Sequence, residues 1–208
     1  MKLDTSRPIT CLVTPGQLTD ENYPISAPKL LEALTGAVES RVSIIQIREN
    51  ALSARLLSRF ASEAAALAEV SETLVLINDR ADVAVASECA GVHLKSNSLP
   101  VDVVRKSFGD DTLIGVSTHS EEEVRRARDG SADIIVFGPV FATPGKPNVA
   151  GLSRLTKICE VAGEIPVIAI GGIDTANFRS VLDAGAAGFA AIRAMNDVRF
   201  LREVVAKL

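Results

Sequence analysis

Short apolar runs alternate with longer stretches of helical periodicity along the whole chain. Thr10 to Pro15 (TCLVTP), Val42 to Glu49 (VSIIQIRE), Leu74 to Asp79 (LVLIND) and Gly91 to Leu94 (GVHL) read as strands. So do Leu113 to His119 (LIGVSTH), Asp133 to Val140 (DIIVFGPV), Pro166 to Ile170 (PVIAI) and Gly188 to Ala194. The stretches between them predict helices over Pro28 to Ser40, Ser53 to Val70, Ala81 to Glu88 and Pro100 to Phe108. A fifth helix, EEEVRRARD, has Ser120 as N-cap, an acidic first turn and Gly130 as its stop. Ser153 to Val161 predicts the sixth, and the seventh starts with Asp174 or Thr175 as N-cap and closes at Gly185. Asn196 to Leu208 closes the chain as the eighth.

Eight strands alternating with eight helices, without a composition break or low-complexity linker, predict one (β/α)8 barrel domain over residues 1–208. A doubly wound sheet is the weaker reading, because no glycine fingerprint follows the first strand. Hydrophobic residues make up 47% of 208, enough to fill such a core, and Ala, Val, Ile and Leu dominate over aromatics.

Charge and cysteine usage narrow the function classes. A net charge of −4 argues against nucleic acid or an anionic membrane as partner. No run reaches the roughly 18 apolar residues of a membrane span, and the N-terminus lacks a secretory pattern. Cys11, Cys89 and Cys159 are odd in number and lack metal-ligand spacing, so they read as small hydrophobes of a reducing, cytoplasmic protein. Phe178 and Phe200 fall on helices where a core position and a homo-oligomer interface are both open readings.

In this fold, chemistry sits at the carboxyl ends of the strands. Those ends carry Gln46, Arg48 and Glu49; Asn78, Asp79 and Arg80; His93; Ser117, Thr118 and His119; Thr143 and Lys146; Gly171 and Gly172; and Arg193. The strand starts carry few polar residues beyond Ser43 and Asp133. Gly171-Gly172 ends an apolar strand, where absent Cβ atoms let backbone N–H groups approach an anion. With Arg48, Lys146 and Arg193 nearby, the pattern implies a phosphorylated small molecule. His93, inside a short strand, reads as a hydrogen-bonded interior residue.

The strings QIRE, LINDR, GVHL, IGVSTH, GPVFATPGK, IPVIAIGGI and GFAAIRAM resemble, in order and spacing, the thiamine phosphate synthase/TenI superfamily over residues 10–195. The resemblance implies one of two chemistries. A synthase joins a pyrimidine diphosphate to a thiazole phosphate with Mg2+, using a pattern similar to Q-x-R-x-K, N-D and G-Q-x-D after strands two, three and four. Gln46, Arg48, Asn78 and Asp79 match, but Asn50 stands where the lysine should be and Ser98 where the second aspartate should be. Two lost charge-assisted contacts, each worth roughly 1.5–3 kcal/mol, amount to on the order of 10² to 10⁴ in rate or affinity. The TenI branch lacks the same groups and tautomerises a carboxythiazole phosphate without a metal.

The leading expectation is therefore a thiazole tautomerase, an isomerase with His119 as proton shuttle and no cofactor. Gln46, Arg48, Asn78, Ser117, Thr143 and Lys146 are expected to bind the substrate. Gly171, Gly172, Ile192 and Arg193 are expected to hold its phosphate through backbone N–H groups. The alternatives are a synthase, with Asp79 as ligand of Mg2+, and a non-catalytic binder that keeps the phosphate pocket. Should Asp79 hold no metal, pairing with Arg80 or Lys146, or capping the next helix, is the expected use of its charge.

Overall fold

A computed structural model of the chain describes residues 3–143, 145 and 148–205. Eight parallel strands close into a barrel in the order of the chain. They are β1 (Ile9–Val13), β2 (Ile44–Ile47), β3 (Leu74–Asn78), β4 (Gly91–Leu94), β5 (Leu113–Thr118), β6 (Ile134–Phe137), β7 (Val167–Ile170) and β8 (Gly188–Ala191). A helix follows each strand: α1 (Tyr23–Glu39), α2 (Ala54–Ala68), α3 (Ala81–Ala86), α4 (Val101–Phe108), α5 (Glu121–Asp129), α6 (Gly151–Ala162), α7 (Phe178–Asp183) and α8 (Val198–Val205). The expected (β/α)8 barrel is the fold.

Two departures from the predicted helix starts have local causes. Helix α1 begins at Tyr23 rather than Pro28, because Pro24 occupies its first turn, where no N–H is needed, and Pro28 is carried inside the helix. Helix α7 begins at Phe178 with Asn177 as its N-cap residue, not Asp174 or Thr175. The Asn177 side chain accepts the Asp174 N–H at 2.9 Å and donates to the Gly172 carbonyl at 2.8 Å, so it organises the loop after β7.

Period-two alternation along each strand divides the apolar residues between two cores. Ile9, Cys11 and Val13 of β1 join Ile44, Leu74, Leu76, Leu113, Ile134, Val136 and Ile168 inside the barrel. Their alternates, such as Ile45, Ile77, Ile135 and Phe189, face the helices, where Phe60 of α2 and Phe178 of α7 are fully buried. The Phe178 and Phe189 rings pack with centroids 5.5 Å apart. Phe178 and Phe200 are both core residues, which removes them as interface candidates.

Polar residues at the strand starts serve the fold. The hydroxyl of Ser43 accepts the Thr10 N–H, and the hydroxyl of Thr10 accepts the Ser43 N–H, pinning β1 to β2. Asp133 accepts the Ile114 N–H at 2.7 Å and pairs with Arg105 at 2.7 Å. The cysteines are free thiols; Cys11 is buried, whereas Cys89 and Cys159 are half-buried. Burial raises the thiols of Cys11 and Cys89 to about 12 and that of Cys159 to about 11, so none is a thiolate near neutrality. No helix among the described residues is long and apolar enough to cross a membrane.

The Ser120 cap of α5 forms as expected: its hydroxyl accepts the Glu123 N–H at 3.2 Å. The Glu123 carboxylate reaches back to the His119 N–H at 2.5 Å, a reciprocal arrangement that also fixes the end of β5. Ser120→Ala is expected to cost about 1 kcal/mol. That corresponds to a melting temperature lower by roughly 2–4 °C, measurable by calorimetry.

Candidate active site

The inward positions at the carboxyl ends of β2 to β5 depart from the apolar interior. Gln46, Asn78, His93 and Ser117 occupy them, in period-two register with Ile44, Leu76, Gly91 and Leu113. Gln46 Nε2 donates to Asn78 Oδ1 at 3.0 Å, and Asn78 Nδ2 donates to Asn50 Oδ1 at 3.3 Å. His93 Nε2 lies 2.8 Å from Ser117 Oγ. Gly115 leaves room for this imidazole: a Cβ there would sit 2.9 Å from His93 Nδ1. Burial pushes His93 down to about 4 against an opposing pull from Asp79, so the ring is neutral near pH 7. His93 is thus the interior, hydrogen-bonded residue that its strand position suggested.

The loop between β1 and α1 is tied to the end of β2. Glu49 is buried, and its two carboxylate oxygens accept the Gly16 N–H at 2.9 Å and the Leu18 N–H at 2.7 Å. The Arg48 N–H donates to Thr14 Oγ1 at 2.8 Å. Glu49 therefore positions the rim of the mouth beside Arg48.

Asp79 follows β3 with a φ of 60°, a left-handed conformation that aspartate tolerates better than most residues. Of its expected partners, Lys146 lies outside the described residues and Arg80 turns elsewhere. Arg80 pairs instead with Asp82 at 2.7 Å. Asp79 receives Lys95 Nζ at 2.8 Å on one oxygen and a short hydrogen bond from the Ser98 hydroxyl on the other. Partial burial alone would raise this carboxyl, but the Lys95 and Ser98 contacts outweigh it and hold its pKa below the ordinary carboxylate range. Asn50, Asn78, Asp79 and Lys95 line one pocket of about 270 Å³. Lys95 and Ser98 are the partners missed in the sequence, although Lys95 directly follows β4, the same strand-end position that singled out Arg48.

On the far side of the mouth, Gly171 and Gly172 follow Ile170, the last paired residue of β7. Their φ values of 105° and 65° belong to glycine, and the backbone is crowded. A Cβ on Gly171 would lie 2.6 Å from Pro139 Cα, and one on Gly172 would lie 2.6 Å from the Ala142 carbonyl oxygen. Ile192 and Arg193 follow β8, and Asn196 ties this turn to β1 by donating to the Val13 carbonyl at 2.9 Å. His119 is exposed at the end of β5, and its Nδ1 lies 2.6 Å from the Gly138 carbonyl oxygen. That carbonyl can only accept, so Nδ1 carries the proton and Nε2 is the atom left over. Thr143 is half-buried in the loop after β6; Lys146 of the same loop lies outside the described residues.

A divalent ion finds a poor donor set here. Asp79 has both oxygens engaged, Glu49 is spent on backbone N–H groups, and among the described residues no three His, Cys, Asp or Glu side chains converge. The residues present do not fit a resident Mg2+, which asks for near-octahedral oxygen ligation.

A closed (β/α)8 barrel with a polar mouth at the carboxyl ends of its strands and a glycine-built turn after β7 defines the class: a (β/α)8 barrel with its candidate site at that mouth. Comparison with known proteins gives the family. The thiamine monophosphate synthase family profile matches residues 11–195, and the chain belongs to that family. It is 37% identical over 183 residues to the thiamine-phosphate synthase of Caldanaerobacter subterraneus subsp. tengcongensis, covering 86% of this chain and 85% of that one. Identity to the thiamine-phosphate synthase of Halalkalibacterium halodurans is 42% over 157 residues, covering 74% and 72%. Among solved structures, the thiamine phosphate pyrophosphorylase from Pyrococcus furiosus superposes with a TM-score of 0.82 at 30% identity, covering 98% of both chains.

These relatives overturn the tautomerase expectation, and with it the isomerase class. They carry the synthase name over most of their length. The expectation leaned on Asn50 and Ser98, each weighed alone as a lost contact. In three dimensions the ammonium missing at Asn50 is present in the same pocket, supplied from β4 by Lys95.

Proposed function

We propose that this chain is a thiamine-phosphate synthase, a transferase of thiamine biosynthesis. One observation carries the reading: 37% identity to a protein of that name runs through 86% of the chain. The reaction joins a hydroxymethylpyrimidine diphosphate to a thiazole phosphate. A thiazole ring nitrogen bonds to the pyrimidine methylene carbon as the bond from that carbon to the diphosphate oxygen breaks. Pyrophosphate leaves with the electron pair. Stabilising the charge on the departing oxygens is the main electrostatic task.

We assign that task to Arg48, Lys95 and Lys146. Gln46, Asn78 and Ser117 offer amide and hydroxyl groups to the pyrimidine, with Thr143 in the loop above. Gly171, Gly172, Ile192 and Arg193 hold the thiazole phosphate through backbone N–H groups, where a dianion gains most from convergent donors. No carbon-bound proton moves in this reaction, so His119 lines the mouth without a shuttle role. The Mg2+ that the resemblance implies has no resident seat in the residues present, and none of these assignments runs through it.

Incubating the protein with both substrates and following pyrophosphate release tests the reading. One pyrophosphate per thiamine phosphate formed is the expected result. Thiazole phosphate binding without any pyrophosphate release, at every magnesium concentration tried, would replace the synthase with a non-catalytic binder.

A further inference from the structure

The Asp79 pocket differs from a metal seat in one respect that the fold has built deliberately into a turn. Lys95 and Ser98 close that turn on themselves: the Ser98 N–H donates to the Lys95 carbonyl at 3.1 Å, and the Lys95 N–H donates to Ser98 Oγ at 3.0 Å. The same two residues then present an ammonium and a hydroxyl to the two oxygens of Asp79. Asp79 is held to meet them, since its own N–H donates to the His93 carbonyl at 2.8 Å. Its carboxylate already faces a cation, with one partner on each oxygen.

We infer that Lys95 is the resident cation of this pocket: it occupies Asp79 in place of a divalent ion and turns to the diphosphate when that ligand arrives. The Lys95 side chain is 48% exposed, so its four-carbon stem has solvent to move through. A diphosphate carries more negative charge than one carboxylate, and an ammonium that bridges both gains from each. Arg80 lines the same pocket, but its guanidinium pairs with Asp82, not with Asp79. Asn50 and Asn78 line the same pocket with neutral amides, and the cation that meets Asp79 there is Lys95. The metal half of the inference stands on these contacts alone, whereas the diphosphate half rests on the synthase reading.

The test uses the intact protein, Mn2+ as a paramagnetic stand-in for Mg2+, and inorganic pyrophosphate as the anion, with no turnover required. Without pyrophosphate, wild-type protein is expected to leave Mn2+ free in solution, as read by electron paramagnetic resonance. Lys95→Met removes the ammonium and frees the carboxylate, so Mn2+ affinity is expected to rise by about tenfold or more, an oxygen-ligand gain. The double variant Lys95→Met/Asp79→Asn is expected to lose that gain. Metal-free pyrophosphate binding, followed by calorimetry, is expected to weaken by about tenfold in Lys95→Met, the worth of one charge-assisted contact. Circular dichroism checks that each variant is folded, and Lys95→Gln serves if the Met variant is not. Tight Mn2+ binding by wild type, or no gain in the folded Lys95 variant, overturns the metal half. Unchanged pyrophosphate affinity overturns the diphosphate half. Failure of the synthase assay with these binding results intact would instead fall on the proposed reaction.

Discussion

Replacing Gly171 with alanine is expected to remove synthase activity almost entirely while most of the barrel still folds. Two effects act together at this position. The backbone has a φ of 105°, which an L side chain rarely adopts, and the new Cβ would lie 2.6 Å from both Pro139 Cα and Pro139 Cβ. The collision is with backbone on β6's trailing loop, so neither partner can rotate away. The turn must shift, and the N–H groups after β7 go with it. Losing two charge-assisted donors to a phosphate costs about 3–6 kcal/mol, or on the order of 10² to 10⁴ in affinity for the thiazole phosphate. Steady-state kinetics on both substrates checks this. The expected signature is a large rise in KM for the thiazole phosphate, with a smaller change for the diphosphate, which the proposed function assigns to the opposite side of the mouth. Gly172→Ala is the companion variant: its φ of 65° also strains an L side chain, and its Cβ would meet the Ala142 carbonyl oxygen at 2.6 Å. Wild-type KM in both variants would remove the glycine turn from the phosphate site.

That turn was legible in the chain, as was the barrel, and for one physical reason. Parallel strands buried on both faces read as unbroken apolar runs, so polar residues stand out wherever they interrupt one. Gln46, Asn78 and Ser117 were found this way, and all three take inward positions at the mouth. The same logic overran the strand ends. Arg48, Glu49, His119, Ile192 and Arg193 were read into strands, but the ladder stops short of each of them and leaves them on the rim. What stayed hidden was pairing across the sequence. Lys95 and Asp79 are 16 positions apart, and His93 and Ser117 are 24 apart; nothing local marks either pair. Without the Lys95 contact, Asn50 and Ser98 looked like losses with no compensation, and the isomerase branch followed from that arithmetic. The start of α7 was misplaced for a related reason, since Asn177 earns its role by reaching back to Gly172.

Acid is expected to destabilise this protein through His93 over a defined window. In the native state, burial holds the imidazole down to about 4, while in the unfolded chain it titrates near its ordinary value of 6.5. Below 6.5 the unfolded chain takes up a proton that the native state refuses, so the unfolded state gains as pH falls. The contribution is fully present above pH 6.5 and is lost progressively down to about pH 4, where the native imidazole also protonates. The difference corresponds to on the order of 3 kcal/mol between the two ends of the window. Carboxylates such as Asp79, with a depressed pKa, lose their own contribution at lower pH, which makes the wild-type curve alone ambiguous. His93→Gln isolates the effect: glutamine keeps a donor and acceptor for Ser117 and cannot titrate. Urea unfolding of both proteins at pH 7.5, 6, 5 and about 4.5 should give stability curves that converge as the pH falls, with the variant flatter than wild type. Parallel curves through this window would mean that His93 protonates in the native state as easily as in water, and that the barrel mouth is wetter than its buried imidazole implies.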